Sequence, residues 1–468
     1  MGILIKKISQ FMFLVLCVFS VTARSLESAP LPAKLNIAEA ERLLFQNNLT
    51  VIAARHGVSA AQAARLIATY TPNPTLTVGG EQFKTDRRLH SLAADTGTAS
   101  NPTYTFRIDQ PLETANKKRL RTENAEYQLM ANEAQVLDAL RLQTLQMKQL
   151  FYGVVLAREN LKSAKETLES IAKTEQLLEK QSKAGNIPEA DLIKFQANRI
   201  QFERDVVTSQ LSQDQGLRDL INILGGKSNA IGATSGMGSK GGTGAVVPPI
   251  TPNVPNTLNA PSSNAARPEI ELIGELVAPK IEIEQEELRR RSEDRPDVVA
   301  AKRLLDAAEK SICMARALRW SDVTVGGEYQ RVGGDNTVGL VISVPLPLYN
   351  NHKGNIEQSE AQRNQLYAQY QQVKLQALTD VDKACQAWLS SRKMVELYTS
   401  SSLDKSRQSL EIVEKAYARN SVSLLDLLDA QRTYKQTLLA AHQAQFDALN
   451  ALSQLESAVG SKKIEPVK

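Results

Sequence analysis

Two stretches of this chain, 235 residues apart, are versions of one another: KAGNIPEADLIKFQANR at 183–199 and KAYARNSVSLLDLLDAQRTY at 415–434. At that shift Gly185 falls on Asn420, Asp191 on Asp426, Leu192 on Leu427, Gln196 on Gln431 and Gly225 on Gly460. A shift of 247 aligns residues 51–55 (VIAAR) with 298–302 (VVAAK), and 77–81 (TVGGE) with 324–328 (TVGGE). A shift of 234 aligns Pro111 and Leu112 with Pro345 and Leu346, and Glu123 with Glu357. The difference of 13 between the last two shifts is a loop at 84–103 that is longer in the first copy. The chain is a tandem duplication, so whatever one copy builds must be built twice.

Each copy reads as helix, two strands and a long helical hairpin. Asn36 and Glu39 form a capping-box pattern at the start of a helix that ends before Pro72. Residues 75–83 and 103–109 alternate apolar and polar with period two, as do 322–330 and 336–344, which gives four strands. After Pro111 a helical pattern runs from about 116 to 182. Leu137, Leu140, Thr144, Met147, Phe151, Val154, Leu161 and Leu168 share one heptad seam, interrupted by Arg158 and Lys165. Its counterpart from about 353 to 418 carries Val373, Ala377, Val381, Ala384, Trp388, Ser391, Val395 and Tyr398. Rods on the order of 100 Å cannot bury such seams alone. Each therefore turns back at its tip into a return helix, 188–224 and 424–459, with Pro188 suited to the first helical turn. Between the copies, 226–267 is rich in Gly, Ser, Thr, Asn and Pro and reads as an insert. Residues 268–291, apolar positions among many glutamates, predict a short strand or helix beside the rods. Asp294 is the expected N-cap of the second copy.

The expected organisation is a signal peptide at 1–23, a first repeat at 24–225, an insert and linker at 226–293, a second repeat at 294–460 and a tail at 461–468. Lys6 and Lys7, the apolar run 11–21 and the small residues before Arg24 suit export and cleavage. Bulky Leu16 before Cys17 argues against lipidation. No later run reaches the 18 or so apolar residues of a membrane-spanning helix, so any crossing is made by strands. Of 468 residues 42% are apolar and only 5% aromatic, which suits extended helices; a net charge of +5 with interspersed signs does not suit nucleic-acid binding. Cys313 and Cys385 match Leu66 and Phe151 in the other copy, so apolar packing is expected of both.

A sheet in contact with lipid must close, because hydrocarbon offers its edge groups no partner. The smallest membrane barrels have about eight strands, so four cannot close. Three copies would supply twelve, and their six helical hairpins would prolong the wall. The expected fold is mainly α with a small β part: antiparallel coiled-coil hairpins forming an α-barrel, and four strands per chain in a trimeric 12-stranded transmembrane β-barrel.

The duplicated plan, the Arg295-Pro296-Asp297 opening and the Pro-Leu junctions resemble the TolC-like outer membrane factors over nearly the whole mature chain except the insert. QPLETANKKR (110–119) and VPLPLYNNHKGNI (344–356) look most like the branch serving heavy-metal resistance pumps, the CzcC-like proteins. The resemblance implies a homotrimeric conduit in the outer membrane, docked through a periplasmic adaptor to an inner-membrane pump, of the RND type for this branch. It implies a closed entrance ringed by two aspartates in a Val-Asp-Val-Leu-Asp-Ala setting. Leu425-Asp426-Leu427-Leu428-Asp429-Ala430 matches, making Asp426 and Asp429 the gate. From the residues alone the same pair reads as ordinary helix-end acids. In a trimer, six carboxylates would favour cations and raise the pKa of some members. Tyr417 matches a tyrosine that ties neighbouring hairpins. The family's gate arginine would fall at Val422, so either Arg419 takes its place or the gate is held differently. Gly185, Asn186, Asn420 and Ser421 mark the adaptor-facing tips.

No residue pattern suggests catalysis or a cofactor. Gly236–Gly244 lacks the strand-to-helix context of a phosphate loop, and His56, His90, His352 and His442 lack paired metal-ligand spacing. Within the channel reading, drug efflux or type I protein secretion is the alternative to metal export. A periplasmic adaptor would show one hairpin in place of two, and a scaffold coiled coil would need no sharp tips.

Overall fold

The computed structural model describes residues 32, 34–81, 102–185, 187–226, 270–279, 281, 284–398, 402–419 and 421–460. The expected signal peptide, most of the 84–103 loop, the insert, the tail and the two tip residues Asn186 and Asn420 lie outside the described residues.

The first copy comprises α1 (Ile37–Asn47), α2 (Leu49–Thr69), β2 (Thr75–Glu81), β3 (Thr103–Leu112), α3 (Lys117–Lys183) and α4 (Glu189–Ile223). The second comprises α5 (Gln285–Ser292), α6 (Pro296–Ala317), β5 (Val323–Val332), β6 (Asp335–Ser343), α7 (Lys353–Leu397), α8 (Leu403–Ala418) and α9 (Leu424–Val459). Two short strands, β1 (Lys34–Leu35) and β4 (Glu271–Leu272), pair in parallel beside the rods. α3 has 67 residues and so runs roughly 100 Å. Asn36 and Glu39 form the expected capping box on α1.

Four local expectations are corrected. α6 is capped by Arg295 and not Asp294, because Pro296 fixes the first helical residue. Pro188 precedes the first turn of α4 as its N-cap. Cys385 is buried, but Cys313 is exposed, as is its counterpart Leu66. The outward rod of the second copy is not one regular α-helix: α7 ends at Leu397 and α8 begins at Leu403, with Tyr398 and Ser402 in a wider, π-type turn. The duplication explains the turn. The two rods align at a shift of 234 near Glu123 and 235 near the tips, so the second carries one extra residue, which a π-type turn can hold without ending the helix. Ser402 Oγ donates to Leu397 O at 2.9 Å, a side chain competing for a backbone carbonyl at the turn.

The four long strands form one antiparallel sheet in the order β2-β3-β5-β6. Register puts Leu76, Val78, Tyr104, Phe106, Ile108, Val325, Tyr329, Val338, Leu340 and Ile342 on one face. All ten are exposed, Leu340 at 89%. The opposite face carries Thr77, Thr105, Arg107, Asp109, Glu328 and Thr337. A sheet with a bare apolar face and a polar opposite face suits a wall between lipid and water.

The helices pack in the same order. Beside the sheet α2, α3, α6 and α7 lie side by side; farther away α4, α3, α9 and the α7–α8 rod do so. In the second layer, α4 takes the place of α2 and α9 that of α6. The core divides likewise. One cluster gathers Leu44, Met147, Phe151, Val154 and Leu220 in the first copy, and another Val381, Cys385, Trp388, Ala448 and Leu455 in the second. Among the described residues, only at the tips do both hairpins share one buried cluster.

Candidate functional site: the hairpin tips

The second tip is built by two helix ends. Arg419 closes α8, its amide donating to Ala416 O, and the Ser421 amide returns to the same carbonyl at 3.0 Å. Two residues later α9 starts with a capping box. The Ser423 hydroxyl accepts from the Asp426 amide, and Asp426 Oδ2 accepts from the Ser423 amide at 3.0 Å and its hydroxyl at 2.7 Å. These hydrogen bonds hold the Asp426 carboxyl below the ordinary carboxylate range. Asp429 follows one turn on. It and Asp426 are both exposed, while Leu424 before the pair and Leu427 within it are buried. The anionic face is thus fixed by the apolar one, with Leu425 left bare beside it at 74%. The like-charge crowding expected at the gate needs several copies around one axis; within one chain Asp426 shifts downward.

Tyr417 sits in the shared cluster. It is buried with Leu424 and Leu427 of its own hairpin and with Ile171, Leu178, Phe195 and Phe202 of the other. Burial, and then the charge of Asp191, raise the Tyr417 phenol above its usual value. The tyrosine thus feels the charge of a carboxylate on the other hairpin. Arg419 is exposed and makes no ion pair among the described residues, and Val422 is half-buried against the cluster. At the first tip Gly185 takes a left-handed turn, φ +74°, donating to Ser182 O at 3.0 Å. Gly185 and Ser421 are exposed.

A polar layer behind the cluster escaped the sequence reading. Lys435 of α9 pairs with Asp205 of α4 and lies 5.1 Å from the Phe202 ring centre. One heptad on, His442 Nδ1 and Asn160 Oδ1 are 3.0 Å apart. A cavity of about 220 Å³ lies between them, lined by Ser163, Thr167, Thr208 and Ser209 among others. Burial holds His442 below its ordinary value, opposed by the charge of Glu159. The available signal was the repeat itself: Leu428, Lys435 and His442 stand where the first copy has Ile193, Ile200 and Val207.

Among the described residues no group of His, Cys, Asp or Glu is arranged to hold a metal ion, and no helix is long and apolar enough to cross a membrane.

The sequence matches the outer membrane efflux protein family over residues 42–226 and 288–461. It is 22% identical over 86% of its length, and 84% of the relative's, to the cobalt-zinc-cadmium resistance protein CzcC of Cupriavidus metallidurans. It is 27% identical over 36% of its length, and 37% of the relative's, to the pyoverdine export outer membrane protein OpmQ of Pseudomonas putida. The open state of the MtrE outer membrane channel of Neisseria gonorrhoeae superposes with a TM-score of 0.68 at 17% identity, over 91% of this chain and 89% of that one. The bare amphipathic sheet, the doubled rods and these matches agree: the chain belongs to the outer membrane efflux protein family and is a TolC-like channel of the outer membrane with periplasmic helices.

Proposed function

We propose that this channel works as a homotrimer that carries heavy-metal cations out of the cell, receiving them from an inner-membrane pump of the RND type through a periplasmic adaptor. It acts as a passage, with no catalytic step and no resident cofactor or metal. Three copies of the four-stranded sheet supply twelve strands, enough to close a barrel in lipid. Asp426 and Asp429 ring the periplasmic entrance and favour cations. Tyr417 holds the two hairpins of a chain together behind that ring, and Arg419, free of intrachain ion pairs among the described residues, reaches a neighbouring copy. The tips at Gly185, Asn186, Asn420 and Ser421 meet the adaptor. The observation that carries this reading is the pair of exposed aspartates held at a helix start whose buried face is locked into both hairpins. Likeness to CzcC over most of the chain supports the metal cargo.

Deleting the gene and comparing growth in zinc, cobalt, cadmium, copper and detergents tests the cargo. Sensitivity confined to metals is the expected result; sensitivity confined to detergents would overturn it. The match to OpmQ favours a second reading, export of a small organic molecule, which growth under iron limitation separates.

A further inference from the structure

In a duplicated chain, a contact made by one copy forecasts a contact for the other. Within the chain α9 packs on the first hairpin through a row of positions seven and then four apart, which lie on one helix face. Lys435 borders the cavity lined by Ser163, His442 meets Asn160, and the Phe446 ring lies 3.9 Å from where a Gly153 Cβ would be. At a shift of 235 the α9 row becomes Ile200, Val207 and Leu211 of α4. At the shift of 234 that holds before the wide turn, the α3 partners become Leu397, Met394 and Ala387 of α7.

The forecast partners do not meet inside the chain. α4 lies at one edge of the helical layer and α7–α8 at the other, just as β2 and β6 are the two edges of the sheet. All the large side chains concerned are bare: Ile200 66%, Val207 67%, Leu211 54%, Met394 45% and Leu397 61%. With Ile193 at 58%, α4 carries an apolar heptad row without a partner among the described residues. An edge that matches the opposite edge of the same unit joins head to tail, which gives a ring when the rotation between copies closes.

We propose that the α4 row is seated by α7 of a neighbouring copy, Val207 on that copy's Met394 and Ile200 on its Leu397. This rests on the homotrimer proposed above and adds the contacts that make it. Each pair replaces a polar one, His442 with Asn160 and Lys435 beside Ser163. The seam between copies is therefore dry and apolar, while the seam within a chain holds an ion pair and a cavity. When the entrance moves, the polar seam is the one whose separation exposes groups that water can satisfy.

The test is cysteine cross-linking of the full-length protein in outer membranes, with Cys313→Ser and Cys385→Ala as background. Val207→Cys with Met394→Cys, and Ile200→Cys with Leu397→Cys, should each give covalently linked trimers on mild oxidation, and each single cysteine should not. The mass of the detergent-solubilised particle is measured on the same samples. Three chains per particle without linkage in either pair overturns the pairing and leaves the trimer standing. One chain per particle overturns both.

Discussion

Asn48 and Arg295 occupy equivalent positions 247 residues apart, and each is buried where a return helix runs into the first helix beside the sheet. Asn48 Nδ2 donates to Ile223 O, the last turn of α4, at 2.8 Å while its Oδ1 caps α2 at the Val51 amide, 3.0 Å. Arg295 lies against Gly460 at the end of α9, pairs with Asp297 through Nε and Nη2 at 2.7 Å each, and reaches Asp380 of α7 at 3.0 Å. The two junctions make each pair of helices behave as one interrupted rod.

Arg295→Ala should lower stability by about 2 kcal/mol, below the roughly 3–5 kcal/mol of a fully buried pair because both carboxylates keep some water contact. Asn48→Ala should cost about 1–2 kcal/mol through the lost cap and the unpaired carbonyl. Thermal melting of the detergent-solubilised protein measures both, and a melt unchanged by Arg295→Ala would refute the junction role.

Gly225 and Gly185 separate conformational strain from crowding. Both have positive φ, +72° and +74°, but a Cβ on Gly225 would come within 3.0 Å of the Asn47 side chain and closer still to its carbonyl, whereas nothing lies within 4 Å of one on Gly185. Gly185→Ala should cost about 1–2 kcal/mol, the price of a left-handed alanine. Gly225→Ala should cost clearly more, and equal losses in melting would contradict the tight junction.

Asp426→Asn with Asp429→Asn should leave the channel assembled and move its reversal potential in a salt gradient toward that of an unselective pore. Block by multivalent cations should weaken in parallel. Because the Asp426 carboxyl is held below its ordinary range by Ser423, its contribution to the cap is complete above that range and fades only as pH falls through the lowered value. Selectivity unaltered in planar bilayers would remove both residues from the gate.

His442 should make the hairpin seam acid-sensitive. Its folded pKa lies below the ordinary 6.5 because of burial, so the unfolded chain binds more protons just below that pH and stability falls as pH drops there. The groups facing it are Asn160 and Glu159 of α3. His442→Gln should flatten the melting temperature between about pH 6.5 and 5; an unchanged slope would assign the acid sensitivity elsewhere.

Much of this architecture was written in local pattern. Period-two alternation located all four strands, because a sheet bare to lipid on one side must alternate; only their ends moved, β3 running on to Leu112 and β5 to Val332. Heptads and tip residues located the return helix at Leu424–Val459 without error. Internal identity showed that two units, not one, had to be placed. Sequence also put Asp426 and Asp429 on one stretch of helix, and their exposed face follows from the leucines between them. What it could not supply were meetings across the chain. Lys435 with Asp205, His442 with Asn160, and Tyr417 in one cluster with Phe195 join residues more than two hundred positions apart, and their pairing depends on which faces two hairpins turn to each other. The exposure of Ile200 and Val207 was equally hidden: the same heptad row is half-buried in one copy, at Lys435 and His442, and bare in the other, because within one chain a duplicated unit has a neighbour on one side only.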